Sequence, residues 1–154
     1  MQARFRSARE ADLAAIVRLL ADDPLGATRE RFDDPLPEIY REALADIARQ
    51  RGNDVIVAEI AGEIAGVLQL TIIAGLARQG MRRAQIEGVR IDARHRGQGL
   101  GEALIRHAIE RAKQERCGLV QLTTDKSRSE AHQFYRRLGF VDSHLGLKLA
   151  LGDD

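Results

Sequence analysis

The sequence of 154 residues has no tryptophan and a single cysteine, and aromatic residues make up only 4% of it. Because Cys117 has no second cysteine to pair with, an intramolecular disulfide framework is excluded, and the chain suits a reducing compartment. No apolar run approaches the length of a membrane span, and the first residues lack the hydrophobic core of a signal peptide. We therefore expect a cytoplasmic protein without a membrane partner, whose core is filled by Leu, Ile, Val and Ala.

An excess of charge of one sign is also lacking, since 24 Lys and Arg stand against 23 Asp and Glu, for a net charge of +1. This balance argues against nucleic acid as a partner, although the arginines of residues 90–96 keep that alternative open to a salt-dependent gel shift. The four histidines show no metal-ligand spacing, so no metal is expected. The length predicts one domain over residues 1–154.

The apolar periodicity predicts the element order β-α-α-β-β-β-α-β-α-β-β. The predicted strands are residues 2–6, 54–60, 64–74, 85–91, 119–124, 140–142 and 145–151. The predicted helices are residues 7–22, a second helix from 35–37 to 52, residues 100–116 and residues 129–138. The expected fold is α/β (α+β), with a single mixed, largely antiparallel sheet of six to seven strands flanked by four helices.

A glycine-rich loop joins a predicted strand to a predicted helix within residues 86–104. Gly97, Gly99 and Gly101 lack a Cβ, so their backbone N–H groups can approach a bulky anion closely. The helix that follows directs its positive dipole end at the same place. The loop therefore predicts a phosphate site, while a glycine-rich turn without a ligand stays the alternative.

The glycine spacing excludes two familiar phosphate loops. A dinucleotide-binding G-x-G-x-x-G pattern that starts at Gly97 needs a third glycine at position 102, where Glu102 stands. A Walker-type loop needs Lys after Gly101, and Glu102 occupies that place too.

Two motifs carry a resemblance to a known family. Arg96-Gly97-Gln98-Gly99-Leu100-Gly101 resembles the Arg/Gln-x-x-Gly-x-Gly/Ala loop of the GNAT superfamily of N-acetyltransferases. Residues 131–140 resemble the family's Ala-x-x-(aromatic)-Tyr-x-x-x-Gly-Phe stretch. The element order is also similar to that of GNAT domains, so the resemblance covers nearly the whole chain. It implies the GNAT fold and acetyl-coenzyme A (acetyl-CoA) as the co-substrate.

The resemblance implies roles for residues of both motifs and of the strand before the loop. Tyr135 is expected to act as general acid on the departing thiolate, and Glu87 to draw a proton from the amine through ordered water. Gly88 indicates a bulge or a close ligand approach, and the Val89 N–H is expected to polarise the acetyl carbonyl. The residues expected to bind the cofactor are Val89, Ile91, Arg96, Gly97, Gln98, Gly99, Leu100, Gly101 and Arg128.

Arg128 is a departure from the family pattern, because many relatives carry Asn there. The Asn contact is not carried over, and Arg128 becomes a candidate for an outer phosphate, together with Arg94 and Lys126.

Glu87 has a structural alternative as well as a catalytic one. It should lie on a half-buried strand, where burial would raise the pKa of its carboxyl and make it a better base. An amine of the lysine type is mostly protonated at pH 7, and freeing it costs about 4–5 kcal/mol. Glu87 could instead pair with Arg83 or Arg90 and only stabilise the strand.

The sequence therefore predicts an N-acetyltransferase that moves an acetyl group to a primary amine of a small molecule or peptide by direct attack in a ternary complex. Cys117 has no evident catalytic partner, so no thioester intermediate is expected. The acids of residues 22–34 could attract a cationic amine, although a solvated loop has the same composition. The alternative is a non-catalytic acyl-CoA-binding sensory or structural module, and a homodimer stays open because dimers are common among relatives.

Overall fold

The computed structural model describes residues 2–152 of the chain. The chain forms two compact units, Met1–Leu122 and Thr123–Asp154. All of the described strands belong to the first unit, and the second contains a single described helix. The prediction of one domain over the whole chain stays a prediction.

The first unit is built on a five-stranded sheet in the order β1-β2-β3-β4-β5. Its strands are β1 (Arg4–Ser7), β2 (Asn53–Ile60), β3 (Glu63–Ile73), β4 (Arg83–Ile91) and β5 (Leu119–Leu122). The first three pairings are antiparallel and the last is parallel, so the predicted mixed, largely antiparallel sheet is confirmed. Ala61 and Gly62 join β2 to β3 with φ of +52° and +80°, as a two-residue hairpin turn that follows the strand twist requires.

Among residues 2–152, four helices of nine or more residues confirm the four predicted ones. Two short segments were not predicted: a single-turn helix, and a turn at 77–80 in which Arg78 and Gln79 have left-handed φ of +55° and +59°. In chain order, the six segments are α1 (Leu13–Ala21), α2 (Gly26–Arg29), α3 (Glu38–Arg49), α4 (Ala77–Gly80), α5 (Leu100–Gln114) and α6 (Ser129–Arg137). Helix α1 begins later than predicted because Ser7 still pairs with Ile56 in the sheet and a 3-10 turn, Glu10–Asp12, follows. None of the described helices is both long and apolar enough to cross a membrane.

The core of the first unit lies on both faces of the sheet. On one face, Ile16 and Leu19 of α1 pack with Val57 and Val67, in a cluster whose members are at most 8% exposed. Side chains alternate along a strand, so the neighbouring pair, Ile56 and Leu68, points to the other face. Helix α5 contacts β3 and β4 there. The two helices thereby hold β4, and the loop that leaves it, between two packed layers.

The prediction of six to seven strands is wrong, because five are present among the described residues. The predicted strands 140–142 and 145–151 do not form: residues 138–152 contain no helix or strand. Leu145, Leu147, Leu149 and Leu151 have the period-two spacing of a strand, but they are 74–92% exposed. A period-two pattern makes a strand only where a neighbouring strand supplies hydrogen bonds and a face to bury. Strand β5 also ends at Leu122 rather than at residue 124.

Candidate functional site

Strand β4 is interrupted by a β-bulge at Gly88 and Val89. On β3, one residue, Leu68, lies between the partners of Glu87 and Arg90, whereas β4 has two residues in the same interval. Gly88 has φ +63°, a left-handed conformation that L side chains rarely adopt. The predicted bulge is therefore confirmed. Its effect is to turn the backbone of the last residues of β4 away from a regular ladder.

The last residues of β4 have a strand on one side only. The parallel ladder with β5 runs from the Arg83–Leu119 pair to the Ile86–Leu122 pair and stops there. Within the described residues, 87–91 therefore pair with β3 alone. A thioester arm could use the open edge of this segment for main-chain hydrogen bonds.

The side chains of two arginines cover the carbonyls of this segment. Arg90 Nη1 donates to the Val89 carbonyl over 2.9 Å, and Arg96 Nε donates to the Ile91 carbonyl over 3.2 Å. A ligand that binds these carbonyls must therefore take the place of an arginine.

The loop after β4 exposes bare main chain. Gly97 and Gly99 have φ of +75° and +84°, and a Cβ added to either would meet no protein atom within 4 Å. Gly99 is the N-cap of α5, whose first hydrogen bond runs from Ala103 N to Gly99 O over 3.0 Å. The amides of Leu100 and Gly101 precede this bond and have no acceptor within the helix.

The start of α5 is nevertheless fixed. Leu100 is only 3% exposed and anchors the first turn in the core, while Gln98 is exposed and its Nε2 lies 3.4 Å from the Arg94 carbonyl. The loop thus has the free space, the open amides and the helix N-terminus that a phosphate group requires. These residues fit the diphosphate of acetyl-CoA.

Asp92, directly after β4, holds the first residues of the loop. Its carboxylate accepts three hydrogen bonds from Arg94, through the backbone N, Nε and Nη2 at 3.0, 3.2 and 3.0 Å. It accepts a fourth from Arg18 Nη2 of α1 at 3.0 Å. Asp92 is buried, and the bonds from Arg94, with Arg18 in support, hold the pKa of its carboxyl far below the usual range.

The turn after α1 is linked to the same region by ion pairs. Asp22 lies 3.7 Å from Arg96, and Asp23 lies 3.7 Å from Arg90. Asp23 also accepts a hydrogen bond from the Gly26 amide at the start of α2. Helix α1 and the turn that follows it are therefore connected to the end of β4 and to its loop.

Strand β4 is half-buried as predicted, but Glu87 itself is exposed, so the expected burial of this carboxylate is not found. Side chains alternate on β4: Ile86 points into the core at 1% exposure, and Glu87 points to the opposite side. Among the described residues Glu87 forms no ion pair with Arg83 or Arg90, and it makes no side-chain hydrogen bond. The pairings expected for a structural role are therefore not formed among these residues, and the role of Glu87 stays a prediction.

The acids of the loop before α3 are mostly engaged within the loop. Glu30 accepts a hydrogen bond from the Tyr40 hydroxyl at 2.8 Å, and that hydroxyl accepts one from the Arg31 amide at 2.9 Å. Burial raises the pKa of Tyr40. Asp33 pairs with the Arg31 guanidinium at 2.8 Å. These contacts give Glu30 and Asp33 structural partners within the loop and the start of α3.

The second unit carries the remaining two predicted site residues. Tyr135 of α6 is half-buried, with its ring edge-on to those of Phe134 and Phe140 at 5.1 and 5.7 Å. Gly139 follows α6 with φ +100°, the left-handed conformation that commonly ends a helix at glycine. Arg128 is the N-cap residue of α6. The roles of Tyr135 and Arg128 toward a cofactor stay predictions.

Cys117 is half-buried, and burial raises the pKa of its thiol. A nucleophilic cysteine needs a lowered pKa instead, so this environment is that of an inert thiol. In the part of the chain that the structure describes, no group of three or more His, Cys, Asp or Glu side chains is arranged to hold a metal ion.

The sequence interpretation missed Asp92 and its partner Arg18. The signal that could have found Asp92 is its place between a strand and a turn, where aspartate often accepts backbone N–H groups. The contribution of Arg18 is visible only in the fold.

Two named N-acetyltransferases are similar in sequence to this chain over most of its length. Glucosamine 6-phosphate N-acetyltransferase of Trypanosoma brucei brucei is 32% identical over 119 residues, which are 76% of this chain and 79% of that protein. L-amino acid N-acetyltransferase AaaT of Escherichia coli K12 is 28% identical over 150 residues, 96% of this chain and 88% of that protein.

Among solved structures, a transcriptional regulator from Bacillus halodurans C-125 superposes with a TM-score of 0.94 at 49% identity. The match covers 97% of this chain and all of that one. Residues 13–140 match the acetyltransferase (GNAT) family. With the mixed sheet, the bulged fourth strand and the glycine loop in place, the chain belongs to the GNAT family and has its fold.

Proposed function

We propose that this protein transfers the acetyl group of acetyl-CoA to a primary amine by direct attack within a ternary complex. The observation that carries the proposal is the continuity of two features of β4. The strand has an open edge at residues 87–91 and leads into a loop whose glycines leave free space over the main chain. One feature suits the thioester arm and the other the diphosphate.

The residues that would hold acetyl-CoA follow from this arrangement. The amides of the Arg96–Gly101 loop would bind the diphosphate, and Arg96 would exchange its weak contact with Asp22 for a phosphate oxygen. The backbone of Val89 and Ile91 would bind the thioester arm. Acetyl-CoA supplies an activated acyl group, and the Val89 N–H would stabilise negative charge on its carbonyl oxygen during attack.

Calorimetric titration of the purified chain with acetyl-CoA tests this part directly. We expect one site per chain and an affinity that falls as the salt concentration rises, because phosphates are the main anchor. Gly97→Ala and Gly99→Ala place a Cβ in the free space over the loop and should weaken binding. The absence of any heat of binding would refute the proposed site.

The amine must lose a proton before it attacks. At pH 7 an amine with a pKa near 10.4 is freed at a cost of about 4–5 kcal/mol. Glu87 is an exposed carboxylate on the same short strand segment as Val89 and Ile91. It is therefore available to receive the proton through water, and general bases of this kind contribute about a hundredfold or more to the rate.

Glu87→Gln should lower kcat/KM about a hundredfold at neutral pH. The defect should shrink as the pH approaches the pKa of the amine, because the substrate then arrives deprotonated. Glu110→Gln, which removes an exposed carboxylate of α5, is the matched control. A Glu87→Gln defect that is equal at every pH would assign Glu87 a role other than proton removal.

The departing sulfur must gain a proton, and Tyr135 is the proposed donor. A phenol near pKa 10 that protonates a thiolate near 8.5 works against about 2 kcal/mol. A hydrogen bond that strengthens as charge builds on sulfur can offset this cost.

Tyr135→Phe should therefore slow turnover and leave acetyl-CoA binding nearly unchanged. Tyr40→Phe removes the other tyrosine hydroxyl of the chain and should affect stability only. Equal turnover of the Tyr135→Phe variant and the wild type would remove this hydroxyl from the mechanism.

The class of amine is best found by a thiol-release screen. The N-acetyltransferases that resemble this chain are named for glucosamine 6-phosphate and for L-amino acids. A panel of amino sugar phosphates, free amino acids and peptides with free α- or ε-amino groups therefore covers the first candidates. We expect thiol release to depend on both acetyl-CoA and one class of amine.

A second candidate is a non-catalytic acyl-CoA-binding regulator. It is favoured by the similarity to the Bacillus halodurans transcriptional regulator at 49% identity. The same two experiments separate the candidates, because a regulator of this kind binds acetyl-CoA in the calorimeter but releases no thiol with any amine.

A further inference from the structure

Asp92 is a buried negative charge next to a loop that is built to receive an anion. Its residue exposure is 3%, and it is the residue that joins β4 to the 3-10 turn Ala93–His95. Coulomb repulsion from such a charge opposes phosphate binding. A residue that acted only through its charge would therefore be harmful at this place.

The hydrogen bonds of Asp92 give it another kind of effect. Its Oδ1 accepts from the backbone N and the Nε of Arg94, and its Oδ2 accepts from the Nη2 of the same residue. Main chain and side chain of Arg94 are thus held by one carboxylate. Because Arg94 presents its Nε–Nη2 fork to Asp92, this arginine serves the loop as a structural group, and its Nη1 lies 3.6 Å from Glu63.

The bond to Arg18 connects this local arrangement to the core. Arg18 belongs to α1, and its Nη2 lies 3.0 Å from the second oxygen of Asp92. The α1 residues Val17 and Leu19, on either side of Arg18, are at most 2% exposed. The carboxylate is therefore fixed between a packed helix and the first residues of the loop.

We propose that Asp92 is a positioning residue for acyl-CoA, which acts through Arg94 and Arg18 to hold the Arg96–Gly101 main chain in its binding conformation. The inference rests on the proposed function, since it concerns the affinity of the same loop. It adds a determinant outside the glycine motif, one that does not itself touch the ligand.

The test compares two variants that each remove one negative charge near the loop. Asp92→Asn keeps the size of the side chain but loses the charged acceptor of both arginines. We expect its Kd and KM for acetyl-CoA to rise about tenfold, because the loss of one hydrogen bond to a charged group changes an equilibrium constant by about that factor. Its kcat at saturating acetyl-CoA should stay within about twofold, because the bound state is unchanged.

Asp22→Asn is the matched control for charge. Asp22 pairs with Arg96 at 3.7 Å, with both side chains about half exposed. The loss of this competitor should leave the Kd for acetyl-CoA unchanged or lower it up to about threefold. Coulomb repulsion alone predicts tighter binding in both variants, whereas positioning by Asp92 predicts a higher Kd for Asp92→Asn and no rise for Asp22→Asn.

Asp54→Asn controls for effects on stability. Asp54 of β2 forms a partly buried ion pair with Arg111 of α5 at 3.4 Å. The variant should change the melting temperature and leave the Kd for acetyl-CoA unaltered. Should Asp92→Asn fail to fold, Arg18→Gln removes the bond from α1 to Asp92, and its KM for acetyl-CoA should also rise severalfold.

The outcomes separate the inference from the proposed function. If the wild type does not bind acetyl-CoA, the proposed function fails. If the wild type binds and Asp92→Asn binds equally well or more tightly, the positioning role is refuted. A fall in kcat without a change in KM would also overturn it, because Asp92 would then act on the chemical step.

Discussion

Replacement of Gly88 by alanine is the sharpest test of whether the bulge in β4 orients the Val89 amide. Gly88 has φ +63°, and an L residue in this left-handed region costs about 1–2 kcal/mol. The added Cβ would lie 3.8 Å from Leu20 Cδ2 and touch nothing closer, so no steric term adds to this cost. Gly88→Ala should therefore destabilise the fold by about 1–2 kcal/mol, or lower Tm by roughly 2–8 °C for a chain of this length.

Gly62→Ala has the same conformational cost outside the β4 bulge and the glycine loop. Gly62 lies in the β2–β3 turn with φ +80°, and its added Cβ would meet no atom within 4 Å. Chemical denaturation should show a similar loss of stability for both variants. Only Gly88→Ala should also impair thiol release, by about a hundredfold, because the bulge sets the direction of the Val89 amide.

A third variant separates backbone conformation from the loss of glycine as such. Asparagine enters the left-handed region more readily than alanine does, so Gly88→Asn should recover part of the stability and of the turnover. The reasoning is refuted if Gly88→Ala and Gly62→Ala lose equal stability and both keep wild-type turnover. In that case the bulge would shape the strand without aiming a catalytic amide.

Three further predictions concern residues away from the loop. Burial lowers the pKa of His107, whose ring stacks on Phe5 at 4.8 Å. In acid the unfolded chain therefore binds more protons than the folded one, and stability should fall as the pH drops below about 6.5. His107→Phe should weaken the dependence of the melting temperature on pH below about 6.5, and an unchanged dependence would contradict this role of His107. Asp12 is buried and accepts two hydrogen bonds from Arg6, which lower the pKa of its carboxyl. Its contribution is present above about pH 4 and is lost as the pH falls through the folded pKa. Asp12→Asn should lower the free energy of unfolding, measured by urea denaturation at pH 7, by about 3 kcal/mol. The difference in unfolding free energy between the variant and the wild type should become smaller in acid. A difference that does not depend on pH would exclude the ionised pair as its source. Cys117→Ser should keep wild-type thiol release, whereas a loss above tenfold would indicate an acyl-cysteine intermediate.

The features that could be predicted from the sequence are those set by local chemistry. Gly88, Gly97 and Gly99 stand where the main chain must adopt positive φ, and only glycine does so at little cost. The long helices were predicted because the apolar stripe of an amphipathic helix is visible at a spacing of 3.6 residues. Both kinds of signal lie within a few residues of the feature that they predict.

The features that could not be predicted depend on residues distant in the chain. The Asp92–Arg18 bond joins residues 74 positions apart, and nothing in either neighbourhood marks the pair. Burial of Glu87 was expected because it lies between Ile86 and Val89 on a half-buried strand, but its exposure depends on what covers that face of β4. The leucines of residues 145–151 show the same limit, since their alternation describes one face of a strand and not the partner that the strand needs.

Three ion pairs link α1 and the turn after it to the end of β4 and its loop. They differ in how readily a ligand can break them. The Asp22–Arg96 pair is about half exposed on both sides, at 3.7 Å, and such pairs are worth about 0–1 kcal/mol. The Asp23 and Arg90 side chains are only 19% and 18% exposed, and the carboxylate of the Asp92–Arg18 pair is 4% exposed. A diphosphate that binds Arg96 therefore competes with the weakest of the three links and leaves the two better-buried ones intact. The loop can then exchange a carboxylate for a phosphate at its outer end while its inner end stays fixed, which is why charge removal at Asp92 should raise the Kd for acetyl-CoA and charge removal at Asp22 should not.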